Sequence, residues 1–458
     1  MTTAAHAASH YQMAAAHFDL SKIDTGATAW VLASAALVLL MTPGLAFFYG
    51  GMVRRKNVLG MLMQNYATIA IVSIVWVVVS FSLAFGGGSG FIGDLHFAGL
   101  QHMSEVLPGY VGDFAQVIPP MVFVVFQLMF AVITPALITG STADRWRFAS
   151  FVPFIVAWSI LVYGPVAHWV FSPEGWLFKL GALDFAGGTV VHINAGTAGL
   201  AVALVLGKRR GWPKEQMRPH NVPFVLLGAA LLWFGWFGFN AGSALGANNL
   251  AAYAFVNTNT ATAAALLGWI AVEKIKYGKP TTLGAASGAV AGLVAITPAA
   301  GFVSPMGSIL IGLLAGVVCA LAVSLKNKLG FDDSLDVVGV HLVGGIIGSL
   351  CVGLLATTAT NSLGANGLFY GGGFSLLGKQ AVAVICVMGY SFVMTFIIVK
   401  VIGIFTKNRV TEEEEITGLD LALHGESAYE FGPASGGIGH RETTTAATTG
   451  SEKGEVSV

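Results

Sequence analysis

The chain has 458 residues, of which 55% are hydrophobic and only 10% are charged. Soluble domains carry roughly 25% charged residues, so a chain with so few charges cannot form the surface of a water-soluble protein of this length. The net charge is zero, which excludes the basic field that holds nucleic acid. Glycine is abundant at 59 residues, as expected where helices approach closely in lipid. We therefore expect an all-α polytopic membrane protein.

Eleven segments are apolar over enough residues to cross a bilayer, whose ~30 Å hydrocarbon core needs about 20 residues of helix. They are predicted at approximately 28–50, 58–85, 117–140, 148–170, 186–207, 221–245, 252–273, 282–300, 305–325, 335–358 and 378–404.

Lysine and arginine alternate between the connecting loops without exception. Every loop after an odd-numbered span carries at least two, beginning with Arg54, Arg55 and Lys56. Loops after even-numbered spans carry at most one, such as Lys179 or Lys379. Because basic loops stay in the cytoplasm, we expect a multi-pass protein of the cell membrane with its N-terminus outside and its C-terminus inside.

The composition divides the chain into four regions. Residues 1–27 form an extracellular segment without the basic start and apolar run of a cleavable signal. Residues 28–406 hold the eleven spans, and 407–432 form a cytoplasmic tail. Residues 433–458 are mostly Gly, Ser, Thr and Ala, which predicts disorder. Within the tail, the glutamates at 412–415 are interpreted as a solvated charge run.

Two features argue against cofactor or metal chemistry. Cys319, Cys351 and Cys386 all lie in apolar segments, and an odd set without CxxC spacing does not predict a disulfide framework or a zinc site. A match to GxGxxG at 88–93 falls in a loop between spans, without the strand and helix that frame a dinucleotide site. We therefore expect that the protein binds no cofactor and is not an enzyme.

Two histidines, His192 and His341, lie well inside apolar spans. An ionisable group at this depth is costly and is a functional candidate, although a histidine bonded to a backbone carbonyl is the alternative. Residues 184–199 and 333–348 align without gaps: Asp is eight positions before each His, and Gly four and seven after it. The fifth and tenth spans run in opposite directions, which predicts two inverted five-helix repeats plus a final helix.

The two histidines should also meet. Eight residues of helix rise about 12 Å, so each lies about 12 Å from its own face of a ~30 Å core, near the midplane. Two adjacent imidazoles can share one proton and fix each other's tautomer. Without a carboxylate or thiolate within a turn of either, they are a poor metal site. We therefore predict that His192 and His341 handle protons in a pore.

Longer motifs resemble the bacterial Amt branch of the ammonium transporter (Amt/Mep/Rh) family over nearly all of the first 430 positions. They are, in order, PGLAFFYGGMVRRKN, DFAGGTVVHINAG, WFGFNAGSA, AFVNT, DDSLDVVGVH and GLDLALHGESAY. The resemblance implies a homotrimer with one pore per subunit, which conducts ammonium or ammonia past the twin histidines His192 and His341.

The resemblance also implies roles for further residues. A stacked phenylalanine gate corresponds to Phe130 and Phe239, although with 30 phenylalanines in the chain a lipid-facing or core position is the alternative for either. The external ammonium site corresponds to Ser243, Phe130, Phe171 and Trp236. Aromatic faces attract a cation by roughly 0.5–2 kcal/mol, and a hydroxyl can replace a lost water.

Two details of this external site differ from, or add to, the family pattern. Phe171 stands where the family has a cage tryptophan, so either Phe171 itself or Trp176 from the following loop completes the cage. Asp184 begins the fifth span, which favours a helix N-cap that supports the site without touching the substrate.

The tail segment GLDLALHGESAY resembles the family's regulatory C-terminus. This implies docking on the inner face of the pore and a trimeric PII-type signalling protein as partner. The alternatives are a tail that only fastens neighbouring subunits, and an ammonium sensor that signals through the tail. A membrane enzyme that uses the histidine pair lacks a nucleophile, a metal set and a cofactor motif.

Overall fold

The computed structural model describes residues 17–429, which are helical apart from turns, loops and three isolated β-bridges. In chain order the helices are α1 (Thr25–Met52), α2 (Arg55–Phe85), α3 (Pro120–Thr142), α4 (Phe148–Leu180), α5 (Gly188–Leu206), α6 (Val222–Gly242), α7 (Asn249–Tyr277), α8 (Thr282–Ile296), α9 (Pro305–Leu329), α10 (Val338–Leu355), α11 (Ser375–Phe405), α12 (Glu412–Thr417) and α13 (Leu419–His424). Turns at 172–175 interrupt α4. The ends of the predicted regions, 1–16 and 430–458, lie outside the described residues.

Within residues 17–429, ten helices are long and apolar enough to cross a membrane, namely α1–α7 and α9–α11. The eighth predicted span, 282–300, coincides with α8. This apolar helix has 15 residues and so rises only about 22 Å. Most of its residues are buried inside the bundle, and turns continue the chain as far as 303.

Several helices begin where the sequence supplies a capping side chain. At each of these positions a side-chain oxygen accepts a hydrogen bond from the backbone N–H three residues later, which satisfies one of the free donors of the first turn. The capping residues are Asp24, Asn221, Asn248, Thr281 and Ser304. The polar loops therefore fix where the apolar helices start.

The crossing of α5 and α10 at the centre of the bundle depends on glycine. A Cβ at Gly196 would lie 2.5 Å from the backbone nitrogen of Leu342, and one at Gly345 would lie 2.9 Å from a side-chain carbon of Ile193. Small residues let membrane helices approach at backbone distance. These are the glycines four positions after each buried histidine.

Basic loop residues meet at one end of the bundle, around two buried aspartates. Arg209 binds Asp332 in a bidentate pair, with nitrogen–oxygen distances of 2.9 and 2.8 Å. Arg54 donates to Asp144 at 3.0 Å. The fully buried Arg145 donates to the backbone oxygen of Asp332 at 2.5 Å. The loops after α1, α3, α5 and α9 are therefore joined in one charge network.

This network also keeps its own buried side chains ionised. Burial alone would raise the pKa of Asp332, but the hydrogen bonds and charge of Arg209, together with the charge of Arg145, hold that pKa below its usual value. Burial lowers the pKa of Arg145 to about 10, which leaves it cationic at neutral pH. The charges therefore persist although they are out of contact with water.

The tail helix α12 corrects the interpretation of the glutamate run at 412–415. Glu412 is solvated, with 71% of its side chain exposed. Glu415, in contrast, has only 2% of its side chain exposed and pairs with Arg409 at 2.9 Å. The solvated-run interpretation was wrong for Glu415, because its carboxylate also accepts a hydrogen bond from the backbone N–H of Arg210 at 2.8 Å, in the loop after α5, which draws it inward.

The tail helix α13 packs on the beginning of α2. The Asp420 carboxylate accepts a hydrogen bond from the backbone N–H of Gly60 at 2.8 Å, and the backbone N–H of Leu419 donates to the Asn57 side chain at 2.9 Å. The Asn57 side chain does not cap α2 itself. The tail therefore supplies a capping carboxylate to the second membrane helix.

We predict that Asp332→Asn destabilises the protein by about 3–5 kcal/mol, because the buried Arg209 loses its bidentate counter-charge and keeps only the longer contact with Asp144 at 3.5 Å. The expected result is a clearly lower apparent melting temperature in detergent, with unfolding measured by tryptophan fluorescence. Glu412→Gln is the matched control, since it removes an arginine–carboxylate pair of similar length, 2.7 Å, at an exposed position, where ion pairs contribute little. Equal melting temperatures for the two variants would contradict a stabilising role for the network.

Candidate functional site

His192 and His341 are in direct contact at the α5–α10 crossing. Their Nδ1 atoms are 3.4 Å apart, and their rings lie 5.4 Å between centroids with an interplanar angle of 20°. Both residues are buried. The structure thus brings together the two histidines that the mirrored sequence pattern paired.

Each histidine lies in a π-helical turn that follows a capping aspartate. His192 is in Gly188–Ile193 and His341 in Val338–Leu342. The Asp184 carboxylate accepts backbone N–H groups of residues 187–190 at 2.6–3.3 Å, together with the Thr189 hydroxyl. π turns inside α-helices are frequent at functional sites. They widen the helix locally and re-aim the side chain.

The contact geometry restricts the protons of the pair. For this contact to be a hydrogen bond, one Nδ1 must donate and the other accept, with a single proton between them. The Nε2 atom of His192 is buried without a hydrogen-bond partner among residues 17–429. Over the same residues, no third His, Cys, Asp or Glu joins the pair as a metal ligand. The pair is therefore suited to proton exchange with a polar guest, and poorly suited to a metal ion.

A column of aromatic rings leads away from His192. Trp236 stacks on the imidazole at 5.4 Å and 18°, and Phe239 lies 6.2 Å from it. Phe130 packs on Phe239 at 4.2 Å with an interplanar angle of 33°. The indole N–H of Trp236 donates to Thr297 at 2.9 Å, which fixes the orientation of the indole.

Beyond the two phenylalanines lies a cavity of about 170 Å³ that is lined mainly by aromatic rings. Four of the residues predicted for the external site or its support line it: Phe130, Phe171, Ser243 and Asp184. The Ser243 hydroxyl donates its proton to the Phe239 carbonyl at 2.8 Å. Its oxygen is therefore left to accept a hydrogen bond from a guest.

Two tryptophans considered for this cavity lie elsewhere. Trp176 packs against Phe91 at 6.1 Å and Trp169 at 5.8 Å, and is not among the residues that line the cavity. Trp236 does not line it either, since it packs between Phe239 and His192. Phe171, in contrast, lies 6.4 Å from Phe130 with its ring perpendicular.

Sequence reasoning missed other residues that line the cavity. They are Tyr110, Phe114, Phe123, Phe126, Gln127, Val170, Pro173, Phe178, Phe185 and Leu245. Only Phe126 had a readable signal, because it lies four residues before Phe130 and so on the same face of α3. Gln127 keeps a buried amide oxygen without a hydrogen-bond partner among the described residues, which adds a second acceptor to the cavity wall.

Comparisons with known sequences agree on one family. The model of the Ammonium Transporter Family matches residues 29–429. An ammonium transporter of Mycobacterium tuberculosis (strain ATCC 25618 / H37Rv) is 52% identical over 445 residues, covering 91% of this chain and 92% of that protein. An ammonium transporter of Bacillus subtilis (strain 168) is 54% identical over 410 residues, covering 89% of this chain and 99% of that protein.

Solved structures share the fold. The crystal structure of Candida albicans Mep2 matches with a TM-score of 0.81 and 34% identity, covering 87% of this chain and 89% of that chain. A protein called "Sensor Amt Protein" matches with a TM-score of 0.79 and 31% identity, covering 87% of this chain and 98% of that chain. Sequence relatives that are more than half identical over nearly their whole length, and a family model that spans the helical bundle, lead to one conclusion: the chain belongs to the ammonium transporter family.

Proposed function

We propose that this protein carries ammonium across the cell membrane, through a pore in each subunit of a homotrimer. The observation that carries the proposal is the continuous series of contacts that leads from the aromatic cavity through the stacked phenylalanines to the buried histidine pair. The relatives of M. tuberculosis and B. subtilis that are named ammonium transporters support the choice of substrate.

The proposed topology has eleven spans, with α8 as a short eighth. Helices α1–α5 and α6–α10 form two inverted repeats and α11 follows them. The π turns that contain His192 and His341 support this symmetry, since each of these histidines lies eight residues after an aspartate. The N-terminal segment 1–27 is placed outside, the transporter domain is 28–406, and the cytoplasmic regulatory tail is 407–432.

The cavity is proposed to recruit ammonium from outside. The rings of Phe130 and Phe171 offer π faces to the cation, and the Ser243 hydroxyl and the Gln127 amide oxygen offer acceptors for its N–H groups. The Asp184 carboxylate is occupied by the backbone of α5, so it supports the site and adds negative charge nearby, without serving as a ligand.

Phe130 and Phe239 are proposed to gate the pathway. At 4.2 Å between centroids the rings are in van der Waals contact, so a guest passes only when they rotate. Below them, next to Trp236, the guest would have neither water nor the Ser243 hydroxyl as a hydrogen-bond partner, and a bare cation is strongly disfavoured without such partners. Ammonium should therefore lose a proton before it passes.

The histidine pair is proposed to take and relay that proton. In the tautomer in which His192 Nδ1 donates to His341, the Nε2 atom of His192 is a free acceptor. Transfer of one proton from ammonium to this nitrogen leaves neutral ammonia, which crosses the dry segment. The proton moves along the pair and returns to ammonia at the inner end, so one positive charge is carried per ammonium.

The tail is proposed to dock a trimeric PII-type signalling protein. Helices α12 and α13 are already folded onto the loop after α5 and the beginning of α2 through Glu415 and Asp420, which would present a preformed surface at the pore exit. With three subunits, a partner of matching symmetry gains from three simultaneous contacts. A tail that only fastens neighbouring subunits is the alternative.

An ammonium sensor that signals through this tail is the second candidate function. The similarity to the protein called "Sensor Amt Protein" favours keeping it. A sensor would bind ammonium without sustained ammonium-evoked current, whereas a transporter would show current in proteoliposomes that hold no other protein. A measurement of ammonium-evoked current therefore separates the transporter from the sensor.

We predict that His192→Ala and His341→Ala each abolish ammonium-evoked current on a solid-supported membrane, because each removes one half of the proton relay. The variants should still elute as trimers. His440→Ala, in the region 433–458, is the matched histidine control and should retain full current. Unchanged currents in both pore variants would contradict the relay, and absence of current in the unmodified protein would favour the sensor.

We predict that Phe171→Trp tightens the apparent ammonium affinity by at most about tenfold. A better cation–π face adds roughly 1–1.4 kcal/mol. Trp176→Phe is the control and should leave the affinity unchanged, because Trp176 does not line the cavity. The concentration dependence of the current measures both. If Trp176→Phe changed the affinity and Phe171→Trp did not, Trp176 and not Phe171 would complete the cage.

We predict that a PII-type protein is captured by the full chain and by a truncation after Pro433, and is lost in a truncation after Val410. The reason is that α12 and α13 lie between these two ends. Pull-down with purified partner measures this. Binding that survives the shorter truncation would exclude the tail as the docking element, and loss already at Pro433 would place the element in the last residues.

A further inference from the structure

Three potential metal ligands converge in the loop between α2 and α3. The Nε2 atom of His96 lies 2.8 Å from Oε2 of Glu105, and the Nδ1 atom of His102 lies 3.4 Å from Oε1 of the same carboxylate. One ligand atom from each of the three residues falls within 4.8 Å of the others. The cluster lies outside the ammonium pathway described above and takes no part in it.

We propose that His96, His102 and Glu105 bind a divalent transition-metal ion of the zinc class. Two imidazole nitrogens and one carboxylate oxygen form a ligand set that zinc accepts with a fourth position left for water, whereas magnesium and calcium prefer oxygen alone. Metal–ligand bonds of about 2.0–2.2 Å in tetrahedral geometry place ligand atoms about 3.3–3.6 Å apart. The observed separations are 2.8 and 3.4 Å, and the two imidazoles stack nearly parallel at 4.3 Å, so one ring must rotate out of the stack before both nitrogens face one ion.

The backbone conformation at His102 supports the site. His102 has φ 59° and follows Leu100 at φ 53° and Gly99 at φ 68°. Non-glycine residues seldom adopt this left-handed region, and such conformations cluster at ligand sites because the surrounding structure must hold them there. The outcome of this turn is that the His102 ring stacks on His96 at 4.3 Å and 16°, with both rings beside one carboxylate.

The other two ligands stand on fixed positions. The backbone N–H of His96 donates to the Asp94 side chain at 3.0 Å. Phe97, which follows His96, is buried, and its backbone N–H donates a hydrogen bond to the Ser82 hydroxyl near the end of α2. Glu105 donates its backbone N–H to the His102 carbonyl and is bridged to the N-terminal segment. Two ligands on a held backbone lower the ordering cost of binding an ion.

The site is open to solvent, as an acquired ion requires. The side chains of His96, His102 and Glu105 are 32%, 47% and 14% exposed. The same loop continues to Tyr110 and Phe114, which line the aromatic cavity. A bound ion would therefore brace the loop that forms one wall of the cavity. The alternative is a metal-free clasp in which Glu105 accepts a hydrogen bond from His96 and pairs with His102 only when that imidazole is protonated.

The test is titration of Zn²⁺ into the full chain, purified without a polyhistidine tag, in competition with a chromophoric chelator. The expected result is one ion per subunit. His102→Gln and His96→Gln should each weaken the affinity at least about tenfold, since changes even behind metal ligands have effects of that size. His440→Gln is the control and should bind as the unmodified chain does. Co²⁺ should give the intense visible absorption of a tetrahedral site, and His102→Gln should abolish it.

Absence of stoichiometric Zn²⁺ binding, or affinity unaffected by His102→Gln, would overturn the proposal in favour of the metal-free clasp. Because the His102 side chain is nearly half exposed, this variant is expected to fold even if His96→Gln does not. Weak Co²⁺ bands typical of six-coordinate ions in the unmodified chain would likewise overturn it.

Discussion

The structure depends on how closely α5 and α10 cross. For the two Nδ1 atoms to come within 3.4 Å, the helix backbones must meet where a side chain of any size would collide. Gly196 and Gly345, each four residues after a histidine, make that approach possible. The aromatic column is aligned on the same crossing, since Trp236 and Phe239 both pack on the ring of His192. Close packing of small residues therefore creates the site as well as the fold.

The buried charges at one end of the bundle serve a different purpose. Arg209, Arg145 and Asp332 join loops that are far apart in the chain, and the tail is joined to the loop after α5 through Glu415, which accepts a hydrogen bond from the backbone N–H of Arg210 at 2.8 Å. Helices in lipid gain little from the hydrophobic effect against one another, so polar contacts between loops contribute much of what fixes their ends. A regulatory partner that moved the tail would act on this network and, through Asp420, on the beginning of α2.

Sequence patterns predicted the features that repeat locally. The capping aspartates, the buried histidines and the glycines after them lie within sixteen consecutive residues of each half, so their mutual geometry follows from helix periodicity. The π turns at His192 and His341 carried no such signal. Nor could the sequence separate Phe171 from Trp176, or bring Tyr110 to the cavity, because loops position these rings through contacts with distant segments. Glu415 was misjudged for the same reason: it accepts a hydrogen bond from the backbone N–H of Arg210, about two hundred residues away in the chain.

The central claim is that the histidine pair holds one proton between its two Nδ1 atoms, ready to accept another from ammonium at a free Nε2. Solid-state nitrogen NMR of the protein in lipid at neutral pH, with ¹⁵N-labelled histidine and assignment by His192→Ala and His341→Ala, tests it directly. The account predicts one protonated and one unprotonated Nδ1, with a coupling between the two nitrogens across the shared hydrogen bond. Two protonated Nδ1 atoms, or two unprotonated ones, would contradict it.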